Sequence, residues 1–260
     1  MLLQNKVAIV YGAAGAIGGA VARAFASEGA KVFVTGRNRD AIEALARDIG
    51  SAAEAAEVDA LNGGAIDGHL DSLVKKAGRV DISFNAIGIA DEKILGVPLA
   101  QMSVEQFCMP ITAYVTSYFL TARLAARRMV PNKSGVVMTV SALPARMGSP
   151  LNGGYGPAQA AKEALTRDLS LEFARHGLRA VCLRPHAIPE TGTMREVFEL
   201  KGKPAGMAWE QFASYLAGTT HPKRVMRLDE VANVAAFAAS DGASGLTGTI
   251  LNLTMGSLDD

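Results

Sequence analysis

Tyr155, Gln159 and Lys162 are the three residues that carry the most chemistry in this chain. They stand four and then three places apart within Tyr155–Arg175, a stretch whose Leu165, Leu169 and Phe173 form one helical stripe. A phenol near its free pKa of ~10 is almost wholly protonated at neutral pH. It gives a proton to a developing alkoxide readily. It accepts one poorly, because only ~0.1% is tyrosinate at pH 7. Ser141, after the apolar run Val136–Val140, and Tyr114 are further donors. His186 follows Pro185 and reads either as an acid or substrate ligand or as a partly buried structural histidine. His69, His176 and His221 have no partner motif, and no metal-ligand spacing occurs.

A second chemistry sits near the start. Val7–Val10 reads as a short strand, followed by Gly12-Ala13-Ala14-Gly15-Ala16-Ile17-Gly18 and a helix. Small residues let the backbone approach a pyrophosphate, and a helix N-terminus supplies N–H donors and positive potential. A glycine string between a strand and a helix is a much stronger signal than one without context. Gly12, Ala14, Gly15, Ile17 and Gly18 are therefore the expected phosphate contacts. The next strand ends Val34-Thr35-Gly36-Arg37, with no acid at its end. A free ribose 2′-hydroxyl favours a carboxylate there and a 2′-phosphate favours arginine, so NADP(H) is the expected cofactor.

The elements that must hold these residues alternate. Strands are expected at Val7–Val10, Lys31–Thr35, Glu54–Val58, Val80–Phe84, Val136–Val140, Ala180–Leu183 and Thr249–Leu253. Helices are expected over Ile17–Ser27, Ala41–Asp48 with Asn38 as cap, Asp67–Ala77, Ser103 to about Met129, Tyr155–Arg175, and from Asp229 as cap through Ala239. Pro110 inside the fourth helix removes a hydrogen bond and should kink it. Strand–helix alternation implies parallel strands and crossover helices. The expectation is an α/β, Rossmann-like doubly wound parallel sheet with helices on both faces, one domain over 1–260. Ile188–Thr220 is poorly patterned and rich in large apolar residues. It reads as a substrate-binding lid or as a helix pair at a subunit contact.

Bulk numbers exclude other classes. The chain has 260 residues, 49% of them hydrophobic, and a formal charge of +1, with no lysine or arginine run. Nucleic-acid binding through a basic field is not expected. Two cysteines, Cys108 and Cys182, argue for a reduced, cytoplasmic protein without a disulfide framework. The charge-free run Val7–Ala22 is shorter than the ~20 residues a spanning helix needs, so neither a membrane segment nor a targeting signal is expected.

The whole pattern resembles the short-chain dehydrogenase/reductase family. Gly12 to Gly18 is similar to its Thr-Gly-x3-Gly-x-Gly loop, with Tyr11 for threonine and Ala16 for the middle glycine. Asp59 then implies an adenine contact, with Ala60 beside it. Asn85-Ala86-Ile87-Gly88 is similar to Asn-Asn-Ala-Gly in its first and last places, and Pro185 begins the segment at the nicotinamide. The resemblance makes Asn85, Ala86 and Pro185 cofactor residues. It also implies a catalytic asparagine, serine, tyrosine and lysine. Tyr114 holds the asparagine place, Ala142 the serine place and Gln159 the lysine place, and only Tyr155 is in register. Tyr155 and Ser141 are the expected catalytic pair, with Tyr114 as another stand-in donor.

A reductase of a small carbonyl compound is the expected activity, with Tyr155 as proton donor. A nucleotide-binding protein without turnover is the rival, and so is an enoyl-reductase-like enzyme using Tyr155 and Lys162, whose seven-residue step matches that group. Halohydrin dehalogenases disrupt the cofactor loop and carry arginine at the lysine place; this chain does neither. The family pairs the helices that hold Tyr114 and Tyr155 between subunits, so a homodimer or homotetramer is expected.

Overall fold

β1 (Val7–Tyr11) is buried at every position because it lies in the middle of a sheet covered on both faces. Its side chains alternate accordingly: Val7, Ile9 and Tyr11 join one core and Ala8 and Val10 the other. The computed structural model describes residues 1–90, 92 and 94–259. Among these, α1 (Ala16–Ser27) follows β1, then β2 (Lys31–Gly36), α2 (Arg39–Ile49), β3 (Ala53–Glu57), α3 (Gly63–Ala77) and β4 (Ile82–Asn85). The second half adds α4 (Val104–Met129), β5 (Gly135–Val140), α5 (Tyr155–Phe173), β6 (Leu178–Pro185), α6 (Gly192–Val197), α7 (Trp209–Gly218), α8 (Leu228–Ala239) and β7 (Thr249–Leu253).

All strand pairs are parallel, in the order β3-β2-β1-β4-β5-β6-β7. This is the expected Rossmann-like doubly wound sheet. The order reverses between β1 and β4, and a crevice at that switch point is where such sheets take ligands. One face packs Val21, Phe25 and Ile42 of α1 and α2 with Val231 and Ala235 of α8. The other packs Ile66, Leu70 and Leu73 of α3 with Tyr118, Ala122 and Leu169 of α4 and α5. Each such fully buried large side chain contributes ~1.5–3 kcal/mol.

Local chemistry sets the helix starts. Asn38, Asn62 and Ser103 accept from the backbone N–H three residues on, each at 3.1 Å. The expected cap of the last helix is corrected: Asp229 lies inside its first turn and pairs with Arg227 at 2.9 Å, while Arg227 holds the cap position. α4 runs through Pro110 as one helix. Gly154, just before α5, faces that region, and a Cβ there would overlap the Phe107 carbonyl oxygen. Glycine at 154 thus lets the Tyr155 end of α5 press against α4.

The 188–220 segment has order of its own. Thr191 caps α6, a π-type turn follows over Phe198–Gly202, and α7 closes the excursion. Phe198, Trp209 and Phe212 meet ring to ring at 5.4 to 6.0 Å, and the Arg195 guanidinium lies 3.4 Å from the Trp209 ring centre.

Candidate active site

A cavity of about 1170 Å³ opens at the C-terminal ends of β1, β4, β5 and β6. That exceeds the ~300–1,000 Å³ usual for one small ligand, leaving room for a dinucleotide and a second molecule. A smaller cavity of about 350 Å³, lined by Lys6, Asp81 and Arg179, lies at the opposite strand ends and holds no phenol.

The cofactor half follows from backbone geometry. Gly12 has φ +73°, and a Cβ on it would lie 2.6 Å from the Ala86 carbonyl oxygen; one on Gly18 would overlap Gly12. The turn between β1 and α1 is thus as tight as small residues allow. Gly15 caps α1 without a side-chain acceptor, so the first N–H groups of the helix have no side-chain partner at their cap. An uncapped helix N-terminus on a cavity wall is an anion site. Gly12, Ala14, Gly15, Ile17, Gly18, Arg37, Asp59, Ala60, Ala86 and Pro185 all line the cavity. Arg37 is exposed at its rim and has no ion pair among the described residues. Asp59 accepts from the Leu61 N–H at 3.0 Å. These residues fit a dinucleotide.

Asn85 is the exception. It is absent from the cavity lining and buried one layer below. Its side-chain Nδ2 donates to Thr121 Oγ1 at 3.1 Å, and its Oδ1 accepts from the Ile87 N–H at 3.4 Å. Its part is to tie the Ala86–Gly88 loop to α4. Tyr11, in the threonine place, is wholly buried with its hydroxyl unpartnered, and burial pushes its pKa far up.

At the other end Tyr155 and Tyr114 both line the cavity, rings 5.8 Å apart and nearly perpendicular. Tyr155 is half-buried at the first turn of α5, whose N–H bonds to the Asn152 carbonyl at 3.0 Å. The Tyr114 hydroxyl oxygen accepts from the Ile89 N–H at 3.3 Å. Gln159 and Lys162 also face the cavity, although each is almost fully buried. Lys162 donates to the Val140 carbonyl oxygen and lies 5.4 Å from the Tyr114 ring centre. Burial lowers its pKa to about 8, only partly opposed by neighbouring Cys182 and Glu163. Burial also pushes the Cys182 thiol up to about 11, which makes it inert at neutral pH.

Ser141, the expected second donor, lines the cavity but turns its hydroxyl to a buried carboxylate. Its hydroxyl donates to Glu163 Oε1 at 2.7 Å, so its one proton is spent. Glu163 in turn receives Arg184 Nε at 2.8 Å and Nη2 at 2.9 Å, an ion pair with both side chains at most 5% exposed. Sequence reading missed this pair. Its one signal was an arginine, Arg184, ending a strand otherwise covered on both faces. His186 Nε2 lies 3.0 Å from Thr219 Oγ1, whose own proton goes to the Leu216 carbonyl at 2.7 Å, so the ring donates. Burial holds its pKa below the usual value, and the ring is neutral at pH 7. Lys201 reaches Asn152 Oδ1 and, at 3.3 Å, Ser149 Oγ, which links the 188–220 segment to the loop before α5. Among the described residues no cluster could hold a metal ion, and no helix is long and apolar enough to cross a membrane.

Comparison with known proteins fits this geometry. The profile described as enoyl-(acyl carrier protein) reductase matches residues 12–257. Short chain aldehyde dehydrogenase 1 of Euphorbia lathyris is 29% identical over 259 residues, 97% of this chain and 87% of the relative. The 3-oxoacyl-(acyl-carrier-protein) reductase FabG of Chlamydia trachomatis is 28% identical over 98% of each chain. The crystal structure of an NAD+-bound xylitol dehydrogenase superposes with TM-score 0.91 at 25% identity, covering 98% of this chain and all of that one. The chain belongs to the short-chain dehydrogenase/reductase family, and it is an oxidoreductase of that type.

Proposed function

We propose that this protein reduces a carbonyl compound with NADPH, Tyr155 being the proton donor. The observation that carries the reading is one cavity lined at one end by an uncapped α1 N-terminus and at the other by the Tyr155 phenol. The glycine turn would receive the pyrophosphate, and Arg37 at the rim would pair with the 2′-phosphate. A nicotinamide cofactor supplies the hydride when bound. Tyr155 then gives its hydroxyl proton to the substrate oxygen as negative charge develops there. Neutral His186 donates to Thr219 and so steadies the wall between β6 and the 188–220 segment.

That segment acts as the substrate lid. Ile188, Met194, Val197, Met207, Phe212 and Leu216 give the substrate end an apolar wall. The substrate is therefore more apolar than a sugar. Ala160, Ala161 and Ala164 leave a small-residue face on α5 at least partly exposed, whereas Ala122, Ala125 and Ala126 of α4 are buried in the chain's own core and cannot serve a partner; light scattering is expected to report a dimer or tetramer. A second reading has an enone as substrate, since Lys162 stands in the cavity seven residues after Tyr155.

Calorimetry with NADPH and NADH, followed by NADPH consumption with panels of ketones, aldehydes and enones, tests both readings. NADPH is expected to bind more tightly, and at least one ketone or aldehyde to be consumed. Equal cofactor affinities would overturn the NADPH assignment. Turnover of enones alone would favour the second reading.

A further inference from the structure

The cavity wall is unevenly charged. Among the described residues that line it, and apart from neutral His186, the acidic and basic side chains are Arg37 and Asp59 at the glycine-turn end and Lys162 and Lys201 at the Tyr155 end. Lys201 belongs to the 188–220 segment and reaches Asn152 and Ser149. Lys162 differs from it in being 1% exposed, with its ammonium on the carbonyl oxygen of Val140, another lining residue. An ammonium has three N–H donors, and the described residues offer this one a single acceptor. Its acidic neighbour Glu163 is shared with Arg184 and Ser141 and does not line the cavity. The Tyr155 end therefore shows the cavity a buried cation and, among the described residues, no carboxylate.

We propose that Lys162 makes this site hold the reduced nicotinamide cofactor more tightly than the oxidised one, by repelling the positive charge that only the oxidised ring carries. The proposal rests on the reductase reading for the place of that ring. Hydride transfer needs reacting atoms ~3–3.5 Å apart, and Tyr155 must come within ~2.6–3.2 Å of the oxygen it protonates. The ring therefore belongs beside the phenol. Lys162 Nζ lies 5.4 Å from the Tyr114 ring centre, which is 5.8 Å from that of Tyr155, so the ammonium stands near the same place. Two like charges ~12 Å apart at an effective dielectric constant of ~20 weaken binding about tenfold. The cofactor phosphates are the same in both redox states and cancel in the comparison. Reduction then ends in a form that the site holds loosely, which speeds release of the spent cofactor.

Lys162 loses its proton as pH rises through about 8, so the repulsion is present at pH 7 and largely gone at pH ~9. The described titratable and charged groups around it are Glu163 and Tyr155 on its own helix, Tyr114 on α4, and Cys182 and Arg184 on β6. Burial keeps the Cys182 thiol protonated up to about 11, and Glu163 is paired with Arg184. By linkage, binding of the oxidised cofactor must expel protons from Lys162 near pH 8.

Calorimetry of NADPH, NADP+, NADH and NAD+ at pH 7, 8 and 9 tests this on the wild type, Lys162→Met, Lys162→Gln and Arg37→Ala. Each ratio compares two redox forms on one protein, so a general loss of affinity cancels. In the wild type NADP+ is expected to bind more weakly than NADPH at pH 7, and the gap to narrow roughly fivefold by pH 9. In both Lys162 variants the gap should be smaller at pH 7 and flat with pH. Arg37→Ala should weaken NADPH and NADP+ alike and keep the pH dependence of their ratio. At pH 8, NADP+ binding measured in two buffers of different ionisation enthalpy should release part of a proton, and Lys162→Met should abolish that release.

A ratio that is the same in the wild type and both Lys162 variants, or that follows pH in the variants as in the wild type, overturns the proposal and leaves the reductase reading standing. If none of the four cofactor forms binds, both fall. If the ratio shifts as expected but no carbonyl is reduced, the reductase reading falls and the repulsion stands.

Discussion

Lys162 gives the sharpest stability prediction, because a buried ammonium makes folding depend on pH. Its pKa falls from 10.5 in the free residue to about 8 in the fold, for reasons of burial. Between those two values the unfolded chain binds more protons than the folded one, so stability rises with pH. Below about pH 8 the lysine is charged in both states, and the folded state bears the whole penalty. At ~1.4 kcal/mol per unit of pKa, the difference corresponds to about 3 kcal/mol. Replacing Lys162 by methionine removes the charge and keeps the length. It also removes the bond to Val140, a loss of ~1 kcal/mol that does not depend on pH. The variant should therefore be the more stable protein at pH 7, by about 2 kcal/mol. The advantage should shrink through pH 8 to 10.5 and reverse near its upper end. Urea denaturation of both proteins across that range gives the difference directly, and effects of all other groups cancel in it. A difference that stays flat with pH would refute the burial argument.

Three further outcomes follow from the same geometry. Arg37→Ala should weaken NADPH binding by ~1.5–3 kcal/mol while leaving NADH unchanged, as calorimetry would report. Gly154→Ala should lower the thermal midpoint by several degrees and slow turnover, since the new methyl overlaps the Phe107 carbonyl and displaces the start of α5. Gln159→Lys alone should destabilise the protein, because it places a second cation one turn from buried Lys162; combining it with Lys162→Leu should recover stability in the same denaturation assay.

Much of the fold was legible because its signals are local. Alternation of apolar runs with helical stripes gave every strand of the sheet to within a few residues, and Asn38 and Ser103 marked their helices correctly. Asp229 misled, since an acid near a helix start serves the first turn as well as the cap. Most of the residues that line the glycine-turn end of the cavity were readable from one loop and one strand end. Asn85 was not, because nothing local tells whether an amide at a strand end faces the cavity or the layer beneath. The catalytic end was the least legible. Ser141 is held by a carboxylate that a guanidinium backs, on two other elements, a contact set only by how α5 packs on β6. Lys162 was visible as a spacing, but its approach to the Tyr114 ring depends on how α4 packs against α5.

The central claim is that the Tyr155 phenol turns this cavity into a reductase. The most direct test is NADPH consumption by the wild type and Tyr155→Phe on one carbonyl substrate, with NADPH affinity measured on both proteins. The account predicts equal NADPH affinity and a rate lower by ~10²–10⁴ in the variant, the usual share of a general acid. It is contradicted if Tyr155→Phe reduces the substrate as fast as the wild type, or if the wild type binds NADPH and turns over no carbonyl at all.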